Sequence, residues 1–428
     1  MTHQGGADVS LVGERPKVLL VSTFSWTTAG RLAVALDEAG FVVDAVGPSN
    51  SIIHGLDAVR RGHRLSLTRP LRSIARAIEA GNPDLVIPSD DPSRQALNRL
   101  YDLADPSTRR GAVTRACLAR SLGPPETYDE VYSRTRVMEI AAGRGLCAPL
   151  TTEVARLDDA VAWQDRVGGL AVMKTDGSWG GRDVEIVGCE DDVAAAWHRL
   201  SQPPSVVRIV KRLLVDRSPW PLRDRLTGRK PVVSIQAYVA GRPANVAVAC
   251  LDGEVLAAVT AEVVVSTRPT GPATVLRVID NPEMTETAAS LVKALRLTGL
   301  CGFDFVLEAE TGRAHLVELN PRATPTAHLL TADGADPLRS LAAALRRQAA
   351  PRRRTPYADG LVALFPQELQ RDPASEYLAT AHHDVPVNAE DFVARAGART
   401  DALRALVSSA VHRSRPARRS AEVTVLPH

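Results

Sequence analysis

Over the first ~120 residues, short apolar runs alternate with segments in which apolar residues recur at helical spacing. KVLLVST (17–23) is a continuous apolar run and predicts a buried strand. TTAGRLAVALDEAG (27–40) has the helical period and stops at Gly40, and FVVDAVG (41–47) predicts a second strand. LRSIARAIEAG (71–81) gives another helix, and DLVIPSDD (84–91) a strand that runs into a polar loop. Strand–helix–strand units of this length require a parallel sheet, so a small Rossmann-like α/β domain is expected. The turn after the first strand reads TFSWTTAG. It is not GxGxxG, which counts against a dinucleotide cofactor.

Farther along, RTRVMEIAAGRG (134–145) predicts a helix. Residues 150–200 alternate helix and strand, and 201–230 are rich in Pro and Arg and read as a loop or insertion. PVVSIQAYVAG (231–241) resumes strand character. NVAVACLDGEVLAAVTAEVVV (245–265) predicts a hairpin turning at Asp252-Gly253. In NPEMTETAASLVKALRLTG (281–299), Asn281 suits a helix cap, Pro282 the first position and Gly299 the end. GFDFVLE and AHLVELN form a last strand pair, and helical patches with an arginine run (346–354) follow.

Composition narrows the class. The 428 residues are too many for one core, and 45% hydrophobic with 24% charged is ordinary for a globular protein. A net charge of +3 and no aromatic–basic clusters give no support to a nucleic-acid scaffold. Five scattered cysteines without CxxC fit free thiols better than a disulfide framework. Residues 1–16 lack the apolar core of a signal peptide, and no apolar run reaches membrane-spanning length. A cytoplasmic protein without nucleic-acid or membrane partners is expected. Only five lysines occur (17, 174, 211, 230, 293), which draws attention to each.

Two stretches carry chemistry. Side chains alternate along a strand, so in AHLVELN Glu318 and Asn320 share one face, with His315, Val317 and Leu319 on the other. In GFDFVLE, Asp304 and Val306 share a face opposite Phe303, Phe305 and Leu307. A three-residue loop Glu310-Thr311-Gly312 sets Asp304 directly across from Glu318, whereas a two-residue loop turns the acids apart. Two facing carboxylates and an amide offer only hard oxygens, which suits Mg²⁺ and disfavours zinc. A solvated strand face with chance acids is the other reading. In LAVMKTDGSWGGRDVEIVG (170–188) a strand ends at Lys174 and leads into a loop holding Gly177, Ser178, Gly180 and Gly181. Such a loop lets backbone N–H groups approach phosphate. A plain glycine hairpin with a surface lysine is the alternative, and a Walker A loop is absent.

The order strand–Lys–Gly-rich loop, SIQAYVAG, helix, GFDF and ELNPR resembles the ATP-grasp superfamily over roughly residues 10–335. The resemblance implies a Rossmann-like N-terminal domain, then a two-lobed fold with antiparallel sheets: α/β, or α+β overall. The division expected is a tail (1–16), the N-terminal domain (17–125), a small lobe (126–205), a large lobe (206–335) and a C-terminal extension (336–428). It further implies that Lys174, with Arg134 in place of a second lysine, contacts ATP phosphates under the loop 176–182. Gln236, Ala237, Tyr238 and Val239 would hold adenine through backbone groups. Asp304, Glu318 and Asn320 would hold Mg²⁺ (or Mn²⁺), and Arg322, with Arg277, would meet the transferring phosphate. The ribose contact is unassigned, because GRPANV follows the hinge.

The activity implied is an ADP-forming ligase that joins a carboxylate to an amine through an acyl phosphate. The alternatives are a small-molecule kinase and a non-catalytic nucleotide-binding module. Small carboxylate and amine substrates are the expected partners, with a homodimer left open. TFSWTT, SDDPSR (89–94) and STRPTGPA (266–273) are candidate substrate contacts.

Overall fold

The computed structural model describes residues 14–176, 183–202, 209, 231–268, 270–353, 357–384 and 389–398. The first sheet contains β1 (Lys17–Val21), β2 (Val42–Gly47), β3 (Arg61–Arg64) and β4 (Leu85–Pro88). Its order is β3-β2-β1-β4, and all neighbours are parallel. Period-2 alternation along β1 feeds two cores. Val18 and Leu20 pack with the helix α1 (Thr27–Glu38), while Leu19 and Val21 pack with α2 (Pro70–Gly81). Two more helices, α3 (Asp91–Leu103) and α4 (Arg109–Leu122), join the second side. Strand order reverses between β1 and β4, and a crevice opens outside their carboxyl ends at such a point.

A second sheet contains β5 (Thr151–Val154), β6 (Ala171–Thr175), β7 (Val184–Val187) and β8 (Val233–Ala237), in the antiparallel order β5-β8-β6-β7. Helices Leu157–Val167 and Glu190–Leu200 cover it, and Trp163, Met173 and Ile235 anchor a core of its own.

The third sheet comprises β9 (Gly241–Leu251), β10 (Glu254–Ser266), β11 (Ala273–Ile279), β12 (Gly299–Glu308), β13 (Ala314–Asn320), β14 (Leu361–Ala363) and β15 (His382–His383). The order is β13-β12-β9-β10-β11-β14-β15. The β9–β10 turn falls at Asp252-Gly253 as its sequence requires, with φ of 50° and 83°. Helix Pro282–Ala294 is capped by Asn281, which accepts from the Met284 amide, and its apolar face meets Phe303 and Phe305. It ends five residues before Gly299. Arg296 takes the left-handed conformation in the turn, and Gly299 opens β12.

Chain beyond residue 335 does not stand apart from this sheet. β14 pairs antiparallel with β11, and β15 adds parallel to β14. Leu338, Leu341, Phe365 and Phe392 share one core with Leu32, Leu36 and Phe41 of the N-terminal domain. Among the described residues no helix is long and apolar enough to cross a membrane.

Candidate functional site

β12 and β13 build the centre. Their loop is longer than the sequence reading expects: four residues, 309–312, lie between Glu308 and Arg313, whose backbones bond at 2.9 Å. That loop alone would put the acids out of step, since Leu307 pairs with Ala314 and Phe305 with Leu316. A β-bulge then inserts Val317 as an extra residue and restores Asp304 opposite Glu318 and Gly302 opposite Asn320. The expected facing pair is present, by a different route. The bulge also changes which residues face inward: Leu316 and Leu319 join Phe303, Phe305 and Leu307 in the core, and Val317 does not.

Gly302 makes room for the turn that follows. A Cβ there would lie 2.3 Å from Thr324 Cγ2. The missing side chain lets the loop after Pro321 fold back over β12, and Ala323 N–H donates to Pro88 O at 3.0 Å. This folding turns Arg322 toward the acids.

Around the strand pair the polar side chains interlock. Asn320 Nδ2 donates to Asp304 Oδ2 at 2.9 Å, and Arg322 Nη2 donates to Asn320 Oδ1 at 3.0 Å. Arg322 Nε donates to Asp91 Oδ2 at 2.8 Å. Arg134, at the start of helix Arg134–Gly143, bridges two acids: Nη2 to Glu318 Oε1 at 2.8 Å and Nη1 to Asp176 Oδ1 at 3.1 Å. On the small sheet Lys174 Nζ donates to Gln236 Oε1 at 2.8 Å, and Gln236 Nε2 donates to Thr151 Oγ1 at 2.9 Å. Arg134, Lys174, Gln236, Asn320, Arg322 and Asp91 are all buried.

Burial sets the protonation balance. It lowers the Lys174 ammonium to about 8, helped by Arg134 and opposed by Glu318 and Asp304. Burial, then the Glu318 charge, raises the Asp304 carboxyl to about 6. Asp176 is likewise raised to about 6 by burial, against the pull of Arg134. Glu318 shows the opposite outcome: burial would raise it, but Arg134 and Lys174 outweigh that and hold it below the usual range. The site therefore holds one firmly ionised carboxylate beside one that retains a proton into the weakly acidic range.

Among the described residues no group of three or more His, Cys, Asp or Glu residues is arranged for a metal ion. Asp304 and Glu318 with the Asn320 amide form a smaller, all-oxygen donor set. That set fits Mg²⁺, which commonly takes one or two carboxylates and completes its shell with water and substrate phosphates. Burial first, and then the Glu318 charge, raise Asp304, and a divalent ion would relieve the repulsion between the two acids.

Not every expected residue joins the cluster. Arg277 is exposed on β11, three strands from Asp304's strand. Its register row, Arg277–Glu262–Ala244–Phe305, faces the side of the sheet opposite Asp304. Gly177, Ser178, Gly180 and Gly181 lie outside the described residues. Residues 238–240 do connect the small sheet to the large one, but the amides of Ala237 and Tyr238 donate to Leu150 O and Leu170 O within the small lobe. Those two N–H groups hold the protein rather than reaching outward, and Gln236 acts through its side chain.

Two acids were missing from the sequence-based set: Asp176, which positions Arg134, and Asp91, which pairs with Arg322. Asp91 lies in SDDPSR, a candidate substrate contact by sequence. A usable signal was the doubled acid at a strand end before Pro92. The first, Asp90, caps α3 by accepting from Ser93 N–H at 2.8 Å. The second is then free of capping duty and projects elsewhere.

Residues 223–326 match the family model of the ATP-grasp domain. No curated protein matches the chain in sequence. Among solved structures, Campylobacter jejuni biotin carboxylase in a β-γ-ATP complex is 14% identical, with 79% of this chain and 72% of that one covered and a TM-score of 0.54. N5-carboxyaminoimidazole synthetase from Staphylococcus aureus with ADP is 11% identical, covering 79% of each chain, with a TM-score of 0.54. The Aspergillus clavatus N5-carboxyaminoimidazole synthase, with ADP and 5-aminoimidazole ribonucleotide, is 15% identical over 79% of this chain and 78% of that one, TM-score 0.54. At these identities the likeness is one of fold.

Proposed function

We propose that this chain, an ATP-grasp protein by fold and by its matched domain, is a ligase that uses ATP to join a carboxylate to an amine. The observation that carries the reading is the gathering of three cations around the facing pair Asp304 and Glu318: Arg134 bonds Glu318, and the charges of Lys174 and Arg322 act on both acids. Three cations and an oxygen donor set on rigid strands suit a polyphosphate. Structures of the same fold were solved with ADP, with an ATP compound, and with ADP beside an aminoimidazole.

In this reading Asp304, Glu318 and Asn320 would hold Mg²⁺, whose charge would offset that of the phosphates. Lys174 and Arg134 bind the phosphates, and Arg134 leaves Glu318 as they arrive. Arg322 faces the transferring group. The substrate carboxylate attacks the γ-phosphate, giving an acyl phosphate and ADP, and the amine then displaces phosphate. The protein's part is positioning and charge placement, which suffices for phosphoryl transfer.

The test is a product assay with ATP, Mg²⁺ and pooled carboxylates and amines. ADP and free phosphate with a dehydrated conjugate by mass supports the ligase. ADP with a stable phosphorylated product makes the protein a kinase. AMP and pyrophosphate contradict the acyl-phosphate route.

A further inference from the structure

We propose that Asp91 receives the amine substrate: it binds the ammonium beside the acyl phosphate and takes its proton. The proposal rests on the ligase reading and extends it to a residue of the N-terminal domain.

Asp91 sits where the N-terminal sheet opens its crevice, three residues past the carboxyl end of β4 and at the first position of α3, at the reversal of strand order. Its neighbour Asp90 is consumed inside the domain. Asp90 accepts from Thr23 N–H and Thr23 Oγ1, each at 2.7 Å, and from Ser93. Asp91 instead points out of the domain and lines a small cleft with Tyr132, Arg134, Asp176, Glu318 and Pro321. Within this cleft Glu318 belongs to the metal set and Asp176 to Arg134. Asp91 belongs to neither, and its partner is Arg322.

Charge balance gives the consequence. As the site stands, Arg322 neutralises Asp91 at 2.8 Å. When an acyl phosphate takes over Arg322, Asp91 becomes a buried carboxylate next to a second anion. Such an arrangement is costly until a cation enters. An ammonium is a cation of the required size and is also the missing substrate. Burial, opposed by Arg322, raises Asp91's affinity for a proton. The amine gives one proton to Asp91 and attacks the acyl carbon through its lone pair. The C–N bond forms, the C–O bond to phosphate breaks, phosphate leaves with the electron pair, and it collects the second N–H proton.

Hydroxylamine separates the two halves, because it is an uncharged nucleophile near neutral pH. The probe is an equimolar pool of the twenty proteinogenic amino acids with MgATP, with and without hydroxylamine. Wild-type protein is expected to form hydroxamate, and Asp91→Asn, which alters the pairing with Arg322, to lose far less hydroxamate than conjugate. Without hydroxylamine, Asp91→Asn is expected to lose conjugate formation by about 100-fold or more, as for a missing general base. Asp91→Glu, which keeps the charge, is expected to recover at least about tenfold of that loss. Equal loss of both products in a variant that melts like wild type, or loss of neither, overturns the role of Asp91 and leaves the ligase intact. No recovery in Asp91→Glu also counts against it. Absence of hydroxamate from the wild type overturns the acyl-phosphate reading and this proposal with it.

Discussion

Lys174 Nζ on β6 reaches diagonally to Gln236 Oε1 on the adjacent strand β8, 2.8 Å away, and has a neutral acceptor instead of a carboxylate. An amide cannot hold the ammonium as strongly as an acid would. The charge is thereby kept available to a ligand, and burial brings it to about 8.

Lys174→Ala is expected to weaken ATP binding by roughly 10- to 100-fold, as for loss of a charged hydrogen bond. Below about pH 8 the ammonium is charged, and above it the charge is lost. Wild-type ATP affinity should therefore fall as pH rises past about 8, and the fall should be absent in the variant. Calorimetric titration at several pH values checks both. An unchanged affinity would remove the phosphate role of Lys174.

Glu318→Ala is expected to reduce Mg²⁺-dependent turnover by at least about 100-fold. The fold should survive, because Arg134 retains Asp176 at 3.1 Å. Turnover is measured beside a melting curve. Full activity in this variant would sink the metal assignment.

Asp304→Asn makes opposite predictions for activity and stability. The folded carboxyl titrates near 6, above its ordinary 3.8. The native state thus binds more protons than the unfolded chain between these values, so the ionised group costs stability, in full above about 6. Replacing it should stabilise the fold by on the order of 1 kcal/mol at neutral pH while weakening metal binding. The same shift means that wild-type Mg²⁺ affinity should rise as pH increases through about 6. A lower melting temperature for Asp304→Asn would refute the first statement, and a flat Mg²⁺ titration the second.

Gly302→Ala places a methyl against Thr324 and should displace the loop carrying Arg322. Turnover should fall about tenfold while ATP affinity changes less than about twofold, since small misplacements cost rate first. Steady-state kinetics with equilibrium nucleotide binding separate the two. A parallel loss of both would place the effect elsewhere.

The acids and the strand that bears them were legible because period-2 alternation and an apolar opposite face survive in ELN and GFD. The bulge was not legible. Val317 looks like any core valine in the string HLVELN, and only the paired strand shows it to be the surplus residue. Arg277 lies elsewhere for a related reason: a family resemblance in the sequence says nothing of this strand order, which puts β10 and β9 between it and Asp304's strand. Asp91 and Asp176 could not be ranked as site residues, since each gains meaning only from a guanidinium more than 40 residues away in sequence. The C-terminal strands escaped notice because β14 and β15 have three and two residues, too short for any period to show.

Those two short strands bear on how the chain folds. β9, β12 and β13, which carry the acids, pair with one another within about 80 residues, whereas β11 waits until residues 361–363 for its outer neighbour. During synthesis the half of the sheet with the chemistry can close first. The β11 margin meanwhile stays an open backbone template, the kind of edge on which chains associate wrongly. A chain cut short before Leu361 would keep every site residue and leave that edge uncovered. It would be expected to fail by aggregation, with its chemistry intact in the fraction that stays dissolved.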